Sequence, residues 1–284
     1  MNTLEQALTL LPQELCIDAP QYIPEELRLR VGRVPTALYN GSERAIGPAA
    51  VSREAIQKTV ERATGASMHS HLQELRRGYI NYHGIRIGIC GEAVVQSGEV
   101  TGFRSISSLD LRLPREIRGV CGEVLDKLRK SGVGSTLIIS PPGGGKTTAL
   151  RELIRCLSND GYRISVVDER CELSAADSGR EGFDLGRYSD VLLNVPKDAG
   201  AMMLLRSMNP EFIAMDEITS EADIKVIAQI TGCGVKLLAT AHADSSDELA
   251  ARPIYAEMLA LGAFKYVVTI DRCLGSRRYT VKKL

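Results

Sequence analysis

Ser140-Pro141-Pro142-Gly143-Gly144-Gly145-Lys146-Thr147-Thr148 lies between two contrasting patterns. Before it runs the apolar, β-branched Thr136-Leu137-Ile138-Ile139, and after it the helical Ala149-Leu150-Arg151-Glu152-Leu153-Ile154-Arg155-Cys156-Leu157. Strand, glycine loop, Gly-Lys-Thr and helix is the context that a phosphate-binding loop requires. Glycines let backbone N–H groups turn inward and approach phosphate oxygens closely. The helix N-terminus adds a partial positive charge. Ser140 to Thr148 are therefore the expected nucleotide-binding residues, with Lys146 reaching the β- and γ-phosphates and the Thr147 hydroxyl ligating Mg²⁺. The usual loop pattern starts with Gly where this chain has Ser140, and Pro141 and Pro142 stiffen the first half of the loop.

From about residue 134 onward, strand and helix patterns alternate, which predicts a parallel sheet covered on both faces. Such sheets bind ligands at the carboxyl ends of their strands. Tyr162-Arg163-Ile164-Ser165-Val166-Val167 ends at Asp168-Glu169-Arg170, Phe212-Ile213-Ala214-Met215 ends at Asp216-Glu217, and Val235 to Ala241 ends at His242. The loop and these three polar clusters thus gather at one sheet edge. One strand, near 162–167, comes between the loop strand and the Asp216 strand, and Asp and Glu are adjacent after the latter. This reads as an α/β, RecA-like P-loop NTPase core of the additional-strand, catalytic-glutamate branch. Asp216 is placed to hold Mg²⁺ through water opposite Thr147. Glu217 is placed to orient or deprotonate the attacking water. Its alternative is a helix cap, a role that Ser220 already fills. Asp168 and Glu169 are candidates to polarise water or support the metal shell, or else to cap a loop or pair with Arg170. His242 reads as a γ-phosphate sensor, a bond across a subunit joint or a structural histidine. Arg206 and Arg170 are candidate arginine fingers. Arg28, Arg30, Arg112 and Arg115 are candidates for that role across a subunit interface, or else surface ion-pairing residues.

Residues 1–130 read as a smaller mixed α+β domain, and 131–284 as the P-loop ATPase domain. In the first, Leu27, Leu29 and Val31 alternate with Arg28 and Arg30, which marks a half-buried strand. Asn40-Gly41 and His83-Gly84 mark hairpin turns, and Ser52 marks a helix N-cap. Ile117, Val120, Cys121, Val124, Leu125 and Leu128 trace a helix expected to connect the domains. Gly275-Ser276 separates the arms of a closing hairpin.

Bulk composition narrows the function. Lys+Arg and Asp+Glu are 35 each in 284 residues, and a nucleic-acid binder needs a basic surplus. No apolar run approaches the roughly 20 residues of a membrane span, and no signal pattern opens the chain. Membrane association is expected through a partner, not by direct insertion. The seven cysteines form no Cys-x-x-Cys pair, and His69, His71 and His83 make no metal pattern.

Three segments resemble those of type II and type IV secretion ATPases. Thr231-Gly232-Cys233-Gly234-Val235-Lys236-Leu237-Leu238-Ala239-Thr240-Ala241-His242-Ala243 resembles their histidine box. Leu205-Arg206-Ser207-Met208-Asn209-Pro210-Glu211-Phe212-Ile213-Ala214-Met215-Asp216-Glu217 resembles their Walker B segment, although that family often has Gly where Asp216 stands. Val167-Asp168-Glu169-Arg170-Cys171-Glu172 occupies the place of their aspartate box. From about residue 20 to the end, the chain resembles the stage III sporulation branch of that superfamily, which shares the Ser140 departure. Leu75-Arg76-Arg77-Gly78-Tyr79-Ile80 and Met202-Met203-Leu204-Leu205-Arg206-Ser207-Met208 carry that likeness. The resemblance implies a cytoplasmic, mother-cell ATPase of endospore formers that uses ATP and Mg²⁺. It implies a homo-oligomer, typically a hexamer, with nucleotide between subunits. It also implies work at the cytoplasmic face of an integral-membrane channel joining mother cell and forespore. A nucleic-acid-dependent RecA-like ATPase and an ATP-regulated assembly scaffold are the alternatives.

Overall fold

The computed structural model describes residues 3–18, 22–39, 41–65, 67, 71–176, 182–273 and 276–284, with Gln73, Arg272 and Cys273 described by backbone alone. His69, Asn40 and Gly275 of the expectations above lie outside the described residues. The chain divides into two compact units, the first comprising Met1–Arg115 and the second beginning at Glu116.

The first unit contains α1 (Thr3–Leu10), β1 (Glu26–Arg30), β2 (Thr36–Tyr39), β3 (Ser42–Ala45), α2 (Arg53–Ala63), α3 (Leu72–Arg76), β4 (Tyr79–Tyr82), β5 (Ile85–Gln96) and β6 (Glu99–Arg112). Its antiparallel sheet has the order β3-β2-β1-β6-β5-β4. Period-two alternation puts Leu27, Leu29, Ile85, Ile87, Leu109 and Leu111 on the face that packs against Leu4, Ala7, Ile56 and Val60 of the helices. Ser52 caps α2, its side chain accepting the Ala55 N–H at 3.0 Å. The short apolar runs near 85–90, 94–95, 100–103 and 109–113 belong to two long strands. Bulges at Cys90/Gly91, Glu92/Ala93 and Val94/Val95 break their alternation, which is why the sequence reads as separate pieces. Three of the four arginines considered for catalysis across an interface are ion-paired on this sheet: Arg28 with Glu26 at 2.5 Å, Arg30 with Glu43, and Arg112 with Asp110 at 3.5 Å.

The second unit contains α4 (Gly122–Ser131), β7 (Thr136–Ser140), α5 (Lys146–Asn159), β8 (Ile164–Asp168), β9 (Ser189–Leu193), α6 (Lys197–Ser207), β10 (Phe212–Met215), α7 (Glu221–Gly232), β11 (Lys236–His242), α8 (Ser246–Ala251), α9 (Pro253–Ala260), β12 (Tyr266–Cys273) and β13 (Ser276–Lys283). The sheet order is β13-β12-β7-β11-β10-β8-β9, parallel except for the antiparallel β12–β13 pair. One face packs against a cluster that includes Leu128, Leu150, Leu153 and Leu157 from α4 and α5. The other packs against Leu204, Ile227 and Met258 from α6, α7 and α9.

Two expectations shift. The helix expected to begin near Ile117 starts at Gly122. Gly119 N–H is bound at 2.7 Å to the Glu152 carboxylate, and α4 packs into the core of the second unit. This helix therefore lies beyond the division at 115/116, whereas the sequence reading placed the boundary at 130/131. In space, the strand between the loop strand and the Asp216 strand is β11, not the one near 162–167. The fold remains the additional-strand type, and the strand so placed carries His242.

Candidate functional site

Alternation along the strands decides which residues face the loop. Ile138, Ala214, Leu238 and Val166 all point to the α4–α5 side of the sheet. Two residues further along each strand come Ser140, Asp216, Thr240 and Asp168, and Thr240 is followed on the same face by His242. The polar strand ends therefore converge under the N-terminus of α5.

The loop that connects β7 to α5 turns tightly. Gly145 is the N-cap of α5 with φ +98°, a left-handed conformation that favours glycine. Ser140 is fully buried, and its Oγ donates to the Pro141 carbonyl at 3.0 Å. A Cβ on Gly144 would lie 2.1 Å from Ser140 Oγ and 2.7 Å from its Cβ, so the Ser at the loop's first position sets the need for glycine at 144. Pro142 and Gly143 are exposed at the tip, and Thr148 is half-buried in the first turn of α5.

Lys146 is buried. Its Nζ donates to the carbonyls of Ser140 at 3.1 Å and Pro141 at 3.4 Å, and lies 3.0 Å from His242 Nδ1. Burial pushes the Lys146 ammonium below its usual range, and Asp216 and Glu217 act against that shift. An ammonium can only donate, so Nδ1 accepts and the His242 proton sits on Nε2. Nε2 then donates to Glu217 Oε1 at 2.8 Å. The second oxygen of Glu217 accepts from Arg170 at 3.0 Å. Glu217 has φ +51°, a strained left-handed backbone for a non-glycine residue. It is held by its N–H bond to Thr240 Oγ1 at 2.8 Å and by Lys197 donating to its carbonyl. Asp216 accepts from Thr147 Oγ1 at 2.7 Å and from Thr240 Oγ1. Val167, Glu169, Arg170, Lys197, Asp216 and Glu217 line a cleft of about 20 Å³.

The remaining three candidates take separate places. Asp168 is a loop cap, accepting from the N–H groups of Glu172, Leu173 and Ser174 at 2.9, 3.2 and 2.8 Å and from the Ser174 hydroxyl at 2.7 Å. That consumes the acceptor capacity a metal shell would use. Glu169 lines the cleft with Glu217. Arg206 is not brought to the site within the chain. It is exposed in the last turn of α6, roughly 13 Å along the helix from Lys197, which touches Glu217. Thr240 and Lys197 are site residues that the sequence reading missed. Thr240 had a signal, its place two residues before His242 on one strand, whereas Lys197 had none.

Among the described residues no cluster of three or more His, Cys, Asp or Glu side chains could hold a metal by itself. Thr147 and Asp216 instead fit a Mg²⁺ that arrives with phosphate oxygens and keeps several waters. Among the described residues no helix is long and apolar enough to cross a membrane.

The sheet order, the glycine loop and the adjacent Asp216-Glu217 define the P-loop NTPase fold of secretion and pilus ATPases. The structure superposes on the Legionella pneumophila ATPase DotB with a TM-score of 0.61 and 15% identity, covering 98% of this chain and 78% of that one. On the pilus retraction motor PilT with bound ADP, the TM-score is 0.64 at 15% identity, covering 100% of this chain and 83% of that one. The chain belongs to the family described as sporulation stage III, protein AA, which matches residues 7–278. It is 31% identical over 281 residues to the stage III sporulation protein AA of Bacillus subtilis, covering 96% of this chain and 89% of that protein.

Proposed function

We propose that this chain is a Mg²⁺-dependent ATP hydrolase that assembles as a homo-oligomer, of hexameric type, in the mother-cell cytoplasm. It works there on a membrane channel between mother cell and forespore during endospore formation. The reading is supported above all by one observation, the unbroken contact chain Arg170–Glu217–His242–Lys146, with Thr147 and Asp216 beside it. These are the groups that phosphoryl transfer to water requires, gathered at one strand edge.

In the proposed reaction, the loop amides and Lys146 hold the phosphates, and Lys146 exchanges His242 Nδ1 for a phosphate oxygen. Mg²⁺, when bound, neutralises the phosphate oxygens. Thr147 and Asp216 would hold it. Glu217 orients the attacking water and takes its proton, the water oxygen bonds to the γ-phosphorus, and the bond to the β–γ bridging oxygen breaks. General-base assistance of this kind contributes roughly 10²–10⁴ in rate. His242, released from Lys146, keeps Nε2 on Glu217 and reports the filled phosphate site to it.

The test is phosphate release from ATP by purified protein, with and without Mg²⁺, across protein concentration, together with mass in solution with a non-hydrolysable analogue. The reading expects Mg²⁺-dependent turnover that rises as subunits assemble. Absence of any adenine-nucleotide affinity in the presence of Mg²⁺ sinks it.

A further inference from the structure

Arg277 is the second residue of β13, at the sheet edge reached from β7 through β12. The side chain crosses back to the phosphate loop. A Cβ built on Gly145 would lie 3.0 Å from its Cζ, 3.1 Å from Nε and 3.4 Å from Nη1. The guanidinium therefore rests on the N-cap of α5, next to Lys146.

The exposed guanidinium stands where positive charge accumulates. The N-terminus of a 14-residue helix carries partial positive charge, and Lys146 adds a full one. No ion pair or hydrogen bond offsets this for Arg277 among the described residues. Its strand neighbour Arg278 lies opposite Asp271 in the ladder. Three positive elements around one glycine turn are stable together when an anion sits between them.

The position also says which part of the anion. β11 and β10, on one side of β7, carry His242, Asp216 and Glu217, the groups for the γ-phosphate and its metal. β12 and β13 lie on the other side of β7. In loops of this kind the backbone amides cradle the α- and β-phosphates, while the lysine reaches β and γ. A guanidinium against Gly145 on the β12–β13 side meets the α/β end. Its planar fork matches two phosphate oxygens.

We propose that Arg277, from the same chain as the phosphate loop, grips the diphosphate portion of the bound nucleotide. This deepens the nucleotide-binding reading above and rests on it. Because ADP and ATP share the diphosphate, Arg277 contributes equally to both and acts without a neighbouring subunit.

Equilibrium binding of fluorescent ADP and ATP analogues to the full chain, at concentrations where it is monomeric, tests this with Arg277→Ala, Arg277→Lys and Arg278→Ala. Far-UV circular dichroism and melting curves verify folding of each variant. Loss of one charge-assisted contact pair predicts roughly ten- to a hundredfold weaker binding of both nucleotides by Arg277→Ala. Partial recovery is expected in Arg277→Lys and no change in Arg278→Ala. Arg277→Ala binding within twofold of wild type overturns the proposal. A loss confined to the ATP analogue overturns it too, by moving Arg277 to the γ-phosphate. Wild-type protein that binds neither nucleotide overturns the underlying nucleotide reading instead, and the two failures are distinguished by that control.

Discussion

Thr147 Oγ1 donates to Asp216 Oδ2 at 2.7 Å, joining the first turn of α5 to the end of β10 across 69 residues of chain. The hydroxyl and carboxylate expected to share a magnesium ion are thus already together. Asp216→Asn keeps the shape and removes the charge. Turnover should fall about 10- to 100-fold and require more Mg²⁺. A Mg²⁺ titration of phosphate release checks this, and an unchanged Mg²⁺ requirement removes Asp216 from the metal's support.

Glu217 is held by His242 and Arg170 through its side chain, and by Thr240 and Lys197 through its backbone. The backbone contacts survive Glu217→Gln. That variant should bind ATP with an affinity within a few-fold of wild type and lose about 10²–10⁴ in turnover. Nucleotide binding measured beside phosphate release separates the two effects, and undiminished release would defeat the assignment.

The loop's serine and its middle glycine form a steric pair. Gly144→Ala puts a methyl group 2.1 Å from Ser140 Oγ, so the loop must distort. Nucleotide affinity should drop by about tenfold or more, as a misplacement near 1 Å does to a positioned site. Ser140→Gly combined with Gly144→Ala removes both close side-chain contacts and leaves the Pro141 carbonyl at 3.0 Å. The double variant should therefore bind better than the single one. Equal affinities would show that the conflict lies elsewhere.

Asp223 is 3% exposed, completes the capping box of α7 with Ser220, and pairs with Lys197 at 3.0 Å. Burial is the largest influence on its carboxyl and acts to raise it. The Thr219 and Ser220 amides and Lys197 together outweigh burial and hold it below the usual value. A lowered folded value stabilises above the unfolded pKa of about 4 and is lost as pH falls through the folded one. Asp223→Asn should cost about 1–3 kcal/mol at pH 7, because it leaves the partly buried Lys197 without its counter-charge. Denaturant titrations at pH 7 and pH 3 should show the gap narrowing in acid. A gap of constant size would mean the ion pair is not its source.

The sequence made the chemistry of the strand ends legible because parallel strands buried on both faces read as continuous apolar runs with abrupt polar ends. Phe212 to Met215 followed by Asp216-Glu217 is such a case. The order of those strands in space was not legible, because crossover helices decide which parallel strands become neighbours. The expectation therefore put the wrong strand beside β7. β9 went unseen because Ser189-Asp190-Val191-Leu192-Leu193 is an edge strand with mixed exposure and little apolar contrast. Thr240 was legible only through its spacing, two residues before His242 on the apolar run of β11. Lys197 and Arg277 reach the site from other elements, and only packing reveals such approaches.

On β11, Thr240 and His242 face α5 while Ala239 and Ala241 fill the opposite core. A slip of this strand by one residue would put a methyl group where the hydroxyl on Asp216 and the imidazole on Lys146 belong, and would drive two polar groups into the alanine core. The same pairing register thus governs both carboxylates together. The register of this one strand therefore couples the two side chains, so that Asp216 and Glu217 would lose their β11 partners in the same event.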